Sequence, residues 1–143
     1  MKLMRRYPGC FVCGDKNPIG LNVPFYVDGD QVVAEYTAGR NFEGYKDILH
    51  GGILSSLLDE VMIRAVLALE NYCVTSEIRV KFRKMVKTGD KLSLVGRLAE
   101  DRGRILTAEG KITNQHDQLV AEGEATFVRA RGEMERQLRQ ELE

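Results

Sequence analysis

From Gly52 to about Glu70 the chain carries apolar residues around nearly the whole circumference of a helix. Ile53, Leu54, Leu57, Leu58, Val61, Met62, Ala65 and Leu69 recur at spacings of one, three and four and make one broad stripe. At about 100° per residue the stripe centres near Val61 and Ala65. The opposite side carries Gly52, Ser56, Asp59, Ile63, Val66 and Leu67, so apolar groups stand where an isolated helix would meet water. A helix apolar nearly all round is buried all round. It therefore requires two covers. In a chain of 143 residues a sheet supplies one, and a second copy of the chain is the expected source of the other. Asp59, Glu60 and Arg64 interrupt the run and exclude a membrane span.

The flanking segments supply the sheet. Before the helix, Leu21 to Val27 and Gln31 to Tyr36 read as a hairpin around Asp28-Gly29. After it, strand patterns cover Val74 to Met85, Lys91 to Glu100, Ile105 to Thr113 and Leu119 to Ala130. Turn signals separate them at Thr88-Gly89-Asp90, Arg102-Gly103 and Asn114 to Gln118. Consecutive turn-linked strands predict an antiparallel meander with the helix packed on its face, an α+β architecture. Residues 1–20 form a Gly- and Pro-punctuated arm, residues 39–49 a loop, and residues 132–143 a polar tail that is helical or frayed. With no internal repeat or linker, residues 1–143 read as a single domain.

Charge and cysteine content narrow the functional classes. Lys+Arg and Asp+Glu are equal at 21 each, which gives no basic field for nucleic acid. Trp is absent and aromatics are 7%, too sparse for a single-strand stacking platform. The three cysteines, Cys10, Cys13 and Cys73, are an odd number in a chain with enough core to need no staples. A reducing, cytoplasmic setting follows. No apolar run follows Lys2, Arg5 and Arg6, so the start does not read as a secretory signal.

The chemistry concentrates where the helix begins, in His50-Gly51-Gly52. The first N–H groups of a helix lack intrahelical partners, and the helix dipole adds partial positive charge there. Such a mouth can hold a carbonyl oxygen that becomes negative during reaction. Two acids lie further along. Glu60 has Arg64 four residues on, an ion-pair spacing; Asp59 has Ile63 there and no partner. Gly51 and Asp59 are separated by eight helical residues, about 12 Å, too far for one carbonyl group to touch both. Two helices running antiparallel across a two-fold axis bring Gly51 of one copy beside Asp59 of the other.

His50-Gly51-Gly52, with an acid nine positions after the histidine, resembles the hotdog-fold acyl-CoA thioesterases, in particular the phenylacetate-pathway (PaaI-like) branch. Thr75-x-Glu77-x-x-Val80-x-Phe82-Arg83, Gly89-Asp90 and the arm residues Cys10-Phe11-Val12-Cys13-Gly14 and Asn17-Pro18-x-Gly20-Leu21 are similar to family segments. The resemblance runs to about Val128. It implies a curved antiparallel sheet of about five or six strands wrapped around one long helix, in a homodimer or homotetramer. It also implies hydrolysis of acyl-CoA to the free acid and coenzyme A, with no cofactor. Asp59 would be nucleophile or general base, the Gly51 N–H the oxyanion donor, and His50 a residue that orients substrate. Thr75 would help position water, and Gly52 and Ser56 would line the site. Some relatives carry an asparagine six residues before the histidine, where this chain has Gly44.

Other residues admit more than one reading. Arg79, Lys81, Arg83 and Lys84 can meet the phosphates of coenzyme A or form a solvated sheet face. Cys10 and Cys13 have the spacing of half a zinc site but no second pair, and a structural arm is the other reading; no metal is expected. Two further functions stay open: acyl-CoA binding without turnover, and hydration or dehydration of an acyl thioester with His50 as base.

Overall fold

The computed structural model describes residues 1–143. It contains seven strands, β1 (Lys2–Leu3), β2 (Phe25–Asp28), β3 (Gln31–Thr37), β4 (Cys73–Phe82), β5 (Lys91–Asp101), β6 (Ile105–Thr113) and β7 (Leu119–Arg129). Two helices, α1 (Gly51–Leu67) and α2 (Gly132–Gln140), complete it, with one 3-10 turn at Arg40–Phe42. All strands pair antiparallel in the order β1-β2-β3-β5-β6-β7-β4. The α+β architecture and the long helix against one antiparallel sheet are as expected, with seven strands instead of five or six. The additional strand, β1, comes from the arm.

The meander is only partly correct. β5, β6 and β7 follow one another, but β4 joins at the far edge beside β7, and β5 pairs with β3. β4 thus follows α1 at one edge of the sheet, and β5 starts at its centre, with β6 and β7 between them. A turn signal marks a reversal without saying which neighbour the strand then takes.

α1 rests on the concave side of the sheet. Leu57, Leu58, Val61, Met62 and Val66 are fully buried. Three mid-strand glycines let it approach. Gly96, Gly110 and Gly123 are consecutive partners across β5, β6 and β7. A Cβ at Gly96 would collide with the Val61 carbonyl, one at Gly110 would stand 2.9 Å from Met62 Cγ, and one at Gly123 would stand 3.5 Å from Leu58 Cδ1. The helix backbone therefore lies directly on the sheet at Gly96.

The other side of α1 departs from the periodicity. Val66, assigned there to the far face, is buried, while Leu69, assigned to the stripe, lies beyond the helix end and is 58% exposed. Part of the second cover comes from the chain's own N-terminal arm. Arg64 is 1% exposed and bonds the Arg5 carbonyl at 2.5 Å. The tail is tied down as well: Arg6 and Glu143 exchange backbone hydrogen bonds of 2.5 and 2.7 Å, and Tyr7 Oη donates to the Leu138 carbonyl at 2.6 Å. No helix is long and apolar enough to cross a membrane.

Candidate active site

The helix mouth has one free donor. The His50 N–H bonds the Phe42 carbonyl at 3.0 Å and the Ile53 N–H bonds the His50 carbonyl at 3.0 Å. The Gly52 N–H donates to His50 Nδ1 at 2.8 Å, so the histidine caps the helix. The Gly51 N–H, between them, has no partner in the chain. His50 Nδ1 is consumed as an acceptor, which leaves Nε2 as the protonated ring nitrogen of the neutral imidazole. Gly44 gives that ring its seat: a Cβ there would stand 3.2 Å from His50 Cδ2.

A cavity of about 850 Å³ opens at this mouth, lined by Tyr45, Ile48, His50, Gly51, Leu54, Phe82, Arg83 and Met85 among others. The Phe82 ring stands beside Gly51, 3.5 Å from where a Cβ would be. Tyr45, Ile48, Leu54, Phe82 and Met85 form the apolar part of the lining and Glu43, His50, Arg83 and Lys84 the polar part. This mixed wall with one unpaired backbone donor suits a polarisable carbonyl attached to a charged carrier. A larger hollow of about 1220 Å³ lies against β3 and β5 and contains none of the candidate residues.

The acids separate as their spacing predicts. Arg64 Nε bonds Glu60 Oε2 at 2.8 Å. Asp59 is half-buried and its Oδ1 accepts from Thr75 Oγ1 at 2.8 Å. Burial pushes the Asp59 carboxyl above the usual range; the Thr75 bond pulls it down and the Glu60 charge pushes it up.

A bulge creates the Thr75 contact. In the β4–β7 ladder Thr75 faces Phe127 and Glu77 faces Thr126, so Ser76 is the extra residue. Strict alternation groups Thr75 with Glu77, Arg79 and Lys81. The bulge instead places it on the α1 side with Ile78, Val80 and Phe82. Arg79 and Lys81 stay on the other face, opposite Glu124 and Glu122. Arg83 lines the cavity and pairs with Glu122 at 2.9 Å.

Within one chain, then, His50 and Gly51 come together at the mouth, and Asp59 and Thr75 come together further along the helix. The mouth cavity includes neither Asp59 nor Thr75. Gly52 is occupied by the His50 cap, and Ser56 Oγ donates back to the Gly52 carbonyl at 2.9 Å. Arg79 and Lys81 join neither group. Sequence reasoning missed Phe82 and the cavity wall around it; its signal was an aromatic among the basic residues of β4.

Cys10 Sγ, Cys13 Sγ and a Glu60 oxygen lie within 4.8 Å of one another. The cation that faces them is the Arg64 guanidinium, bonded to Cys13 and Glu60.

A sequence profile of the thioesterase superfamily matches residues 46–121. The match spans more than half of the chain, and the chain belongs to that family. Its fold is that of the hotdog thioesterases. A crystal structure of a thioesterase superfamily protein superposes with a TM-score of 0.80 at 24% identity, covering 85% of this chain and 60% of that one. A hypothetical thioesterase of Streptococcus pneumoniae, solved with coenzyme A, gives 0.72 at 24%, covering 76% and 86%. The Escherichia coli PaaI protein of the phenylacetic acid degradation operon gives 0.73 at 22%, covering 78% and 82%. The pneumococcal protein has also been solved as two alanine variants, of an aspartate and of a threonine sixteen positions later. No curated protein sequence matches significantly.

Proposed function

We propose that the protein is an acyl-CoA thioesterase of the PaaI-like branch, hydrolysing its substrate to a free acid and coenzyme A in a reducing, cytoplasmic setting. The observation that carries this reading is the unpartnered Gly51 N–H in the wall of the partly apolar mouth cavity. The thioester carbonyl oxygen docks on that N–H, where the helix dipole favours the developing charge. His50 Nε2–H stands at the same mouth to orient the substrate.

The carboxylate comes from a second copy. β4 is an edge strand with nothing beside its outer side, and Ile78 and Phe82 on it are 37% and 54% exposed. Two β4 edges pairing across a two-fold axis continue the sheet and set the two α1 helices antiparallel. Asp59 of one copy then approaches the Gly51 mouth of the other, and each dimer holds two sites. With Oδ1 held by Thr75, Oδ2 is the oxygen that takes a proton from water or attacks the carbonyl carbon. Sixteen positions separate Asp59 from Thr75, as they do the two substituted positions of the pneumococcal protein. Of the basic residues on β4, Arg83 is the one at the cavity rim, suited to a coenzyme A phosphate; Arg79 and Lys81 reach it only from the outer face.

Hydrolysis of short, aromatic and long acyl-CoAs by the purified protein, followed by release of free thiol, tests the reading. Turnover of at least one class well above the rate in buffer is expected. Stoichiometric binding with no turnover across the panel would establish the binding-only alternative.

Thr75 has a distinct pH signature. A base works deprotonated, so activity is lost as pH falls through the Asp59 pKa, which burial holds above the ordinary carboxylate range. The Thr75 bond lowers that pKa. Thr75→Val therefore moves the acid limb of the kcat/KM profile to higher pH. An unmoved limb, with kcat alone reduced, contradicts this role.

A further inference from the structure

The N-terminal arm contains a second reactive arrangement that the hydrolytic site does not use. Residues 10–14 form a tight turn in which the Gly14 N–H bonds the Cys10 carbonyl at 2.9 Å. Gly14 has no room for a Cβ, which would collide with the Pro8 and Cys10 backbones. The turn points the Cys13 N–H at Cys10 Sγ, 3.4 Å away. The turn holds the Cys10 and Cys13 sulfurs within 4.8 Å of one another, close enough for a short local movement to bring them to disulfide geometry.

The two sulfurs occupy different environments. Cys10 is half-buried and lines an opening of about 530 Å³ between Pro8 and the chain's last residues. Cys13 is 1% exposed and lies under Arg64. The neighbouring Cys13 side chain, aided by the backbone N–H groups of Cys13 and Val12, pushes the Cys10 thiol down to about 7, against burial and the nearby Glu60 charge, which push it up. The Cys10 side chain, burial and the Glu60 charge push Cys13 the other way, with the Arg64 guanidinium opposing them. One sulfur is thus accessible at the rim of an opening, and its neighbour is sheltered beneath the Arg64 guanidinium. Cys73 is buried, and burial raises its thiol.

We propose that Cys10 and Cys13 are a thiol–disulfide exchange site, with Cys10 the attacking and Cys13 the resolving sulfur. The co-reactant is a low-molecular-weight disulfide. The Cys10 thiolate attacks one of its sulfurs, the disulfide bond breaks and one thiolate leaves, taking up a proton. Cys13 then gives up its proton, with the Arg64 guanidinium beside the sulfur that becomes negative, and attacks Cys10 Sγ. The second thiol leaves. The protein loses two electrons and two protons, and the small disulfide is reduced to two thiols. In a reducing compartment such a bond forms transiently, as the record of an oxidising episode. It forms where the arm crosses Glu60, whose Oε1 lies 3.6 Å from Cys10 Sγ.

The test uses the whole protein, reduced, freed of reductant and exposed to glutathione disulfide. Intact-mass spectrometry is expected to show the loss of two hydrogens with no retained glutathione. Free thiols should fall from three per chain to one, and peptide mapping should leave Cys73 as the free one. Cys13→Ser is expected to trap one glutathione on Cys10, while Cys10→Ala keeps Cys13 unmodified. Three thiols persisting in the wild-type protein overturn the proposal, as does a disulfide that includes the Cys73 peptide. Because the wild-type result needs no variant, a failure of Cys13→Ser to fold does not protect the idea. No readout involves thioester hydrolysis, so this proposal and the thioesterase reading fail independently.

Discussion

Asp59→Asn is expected to lower kcat for acyl-CoA hydrolysis by about 10²–10⁴-fold, the range for loss of a positioned base. It keeps the size of the side chain and the acceptor that Thr75 uses, so the fold and the assembly should survive. Stability should move the opposite way to activity. The folded-state pKa of Asp59 is raised above its unfolded value. The stabilisation linked to its protonation is thus complete below the unfolded pKa and disappears as pH rises through the folded one. At neutral pH the buried charge is a cost that asparagine lacks, and the variant should melt no lower than the wild type. Mixing it with a second inactive variant, Gly51→Pro, which lacks the oxyanion donor, tests the shared site. Exchange of subunits gives mixed dimers with one intact site each and restores about a quarter of wild-type activity. If mixing restores nothing while subunits demonstrably exchange, each chain carries its own complete site. Near-normal hydrolysis by Asp59→Asn alone would remove Asp59 from the mechanism.

The largest loss of stability is expected at Gly96. Chain entropy favours alanine over glycine in mid-strand, by about 0.4–1 kcal/mol where the native backbone permits. Packing points the other way, because the Cβ would collide with the Val61 carbonyl, a backbone atom that cannot step aside. Overpacking costs about 1–3 kcal/mol where side chains can adjust, so Gly96→Val should cost at least the upper end of that range. Gly110→Ala should cost less, since it meets the flexible Met62 side chain at 2.9 Å, and Gly123→Ala least, with the Arg79 carbonyl at 3.1 Å. Urea unfolding midpoints in that order support the contact. A stabilised Gly96→Ala shows that α1 does not rest on the sheet there.

Several of these features were legible in the residues. The apolar circumference of α1 required two covers, and the Glu60–Arg64 spacing correctly left Asp59 as the acid without a helix partner. What periodicity missed has physical causes. One inserted residue, Ser76, reverses the facing of everything before it on β4, and no propensity marks such an insertion. Arg64 read only as the ion-pair partner of Glu60, and its burial under the arm was not visible; contacts between segments 59 and 51 residues apart leave no periodic trace. The glycine row was visible as three letters, but their alignment depends on registers that only strand pairing sets. His50 drew attention as a site residue, while its cap on Gly52, which singles out the Gly51 N–H, depended on a ring orientation.

The glycine row also gives the molecule a reference plane. At Gly96 the height of α1 above the sheet is set by main chain against main chain, and side chains elsewhere fill whatever gap remains. Methyl-scale changes among Leu57, Leu58 and Met62 can then be absorbed locally without lifting the helix. The Asp59–Thr75 bond and the Gly51 mouth are both referenced to that helix, so their positions are insulated from drift in the core. Tolerance of core variation and intolerance at Gly96 are two sides of one mechanical arrangement.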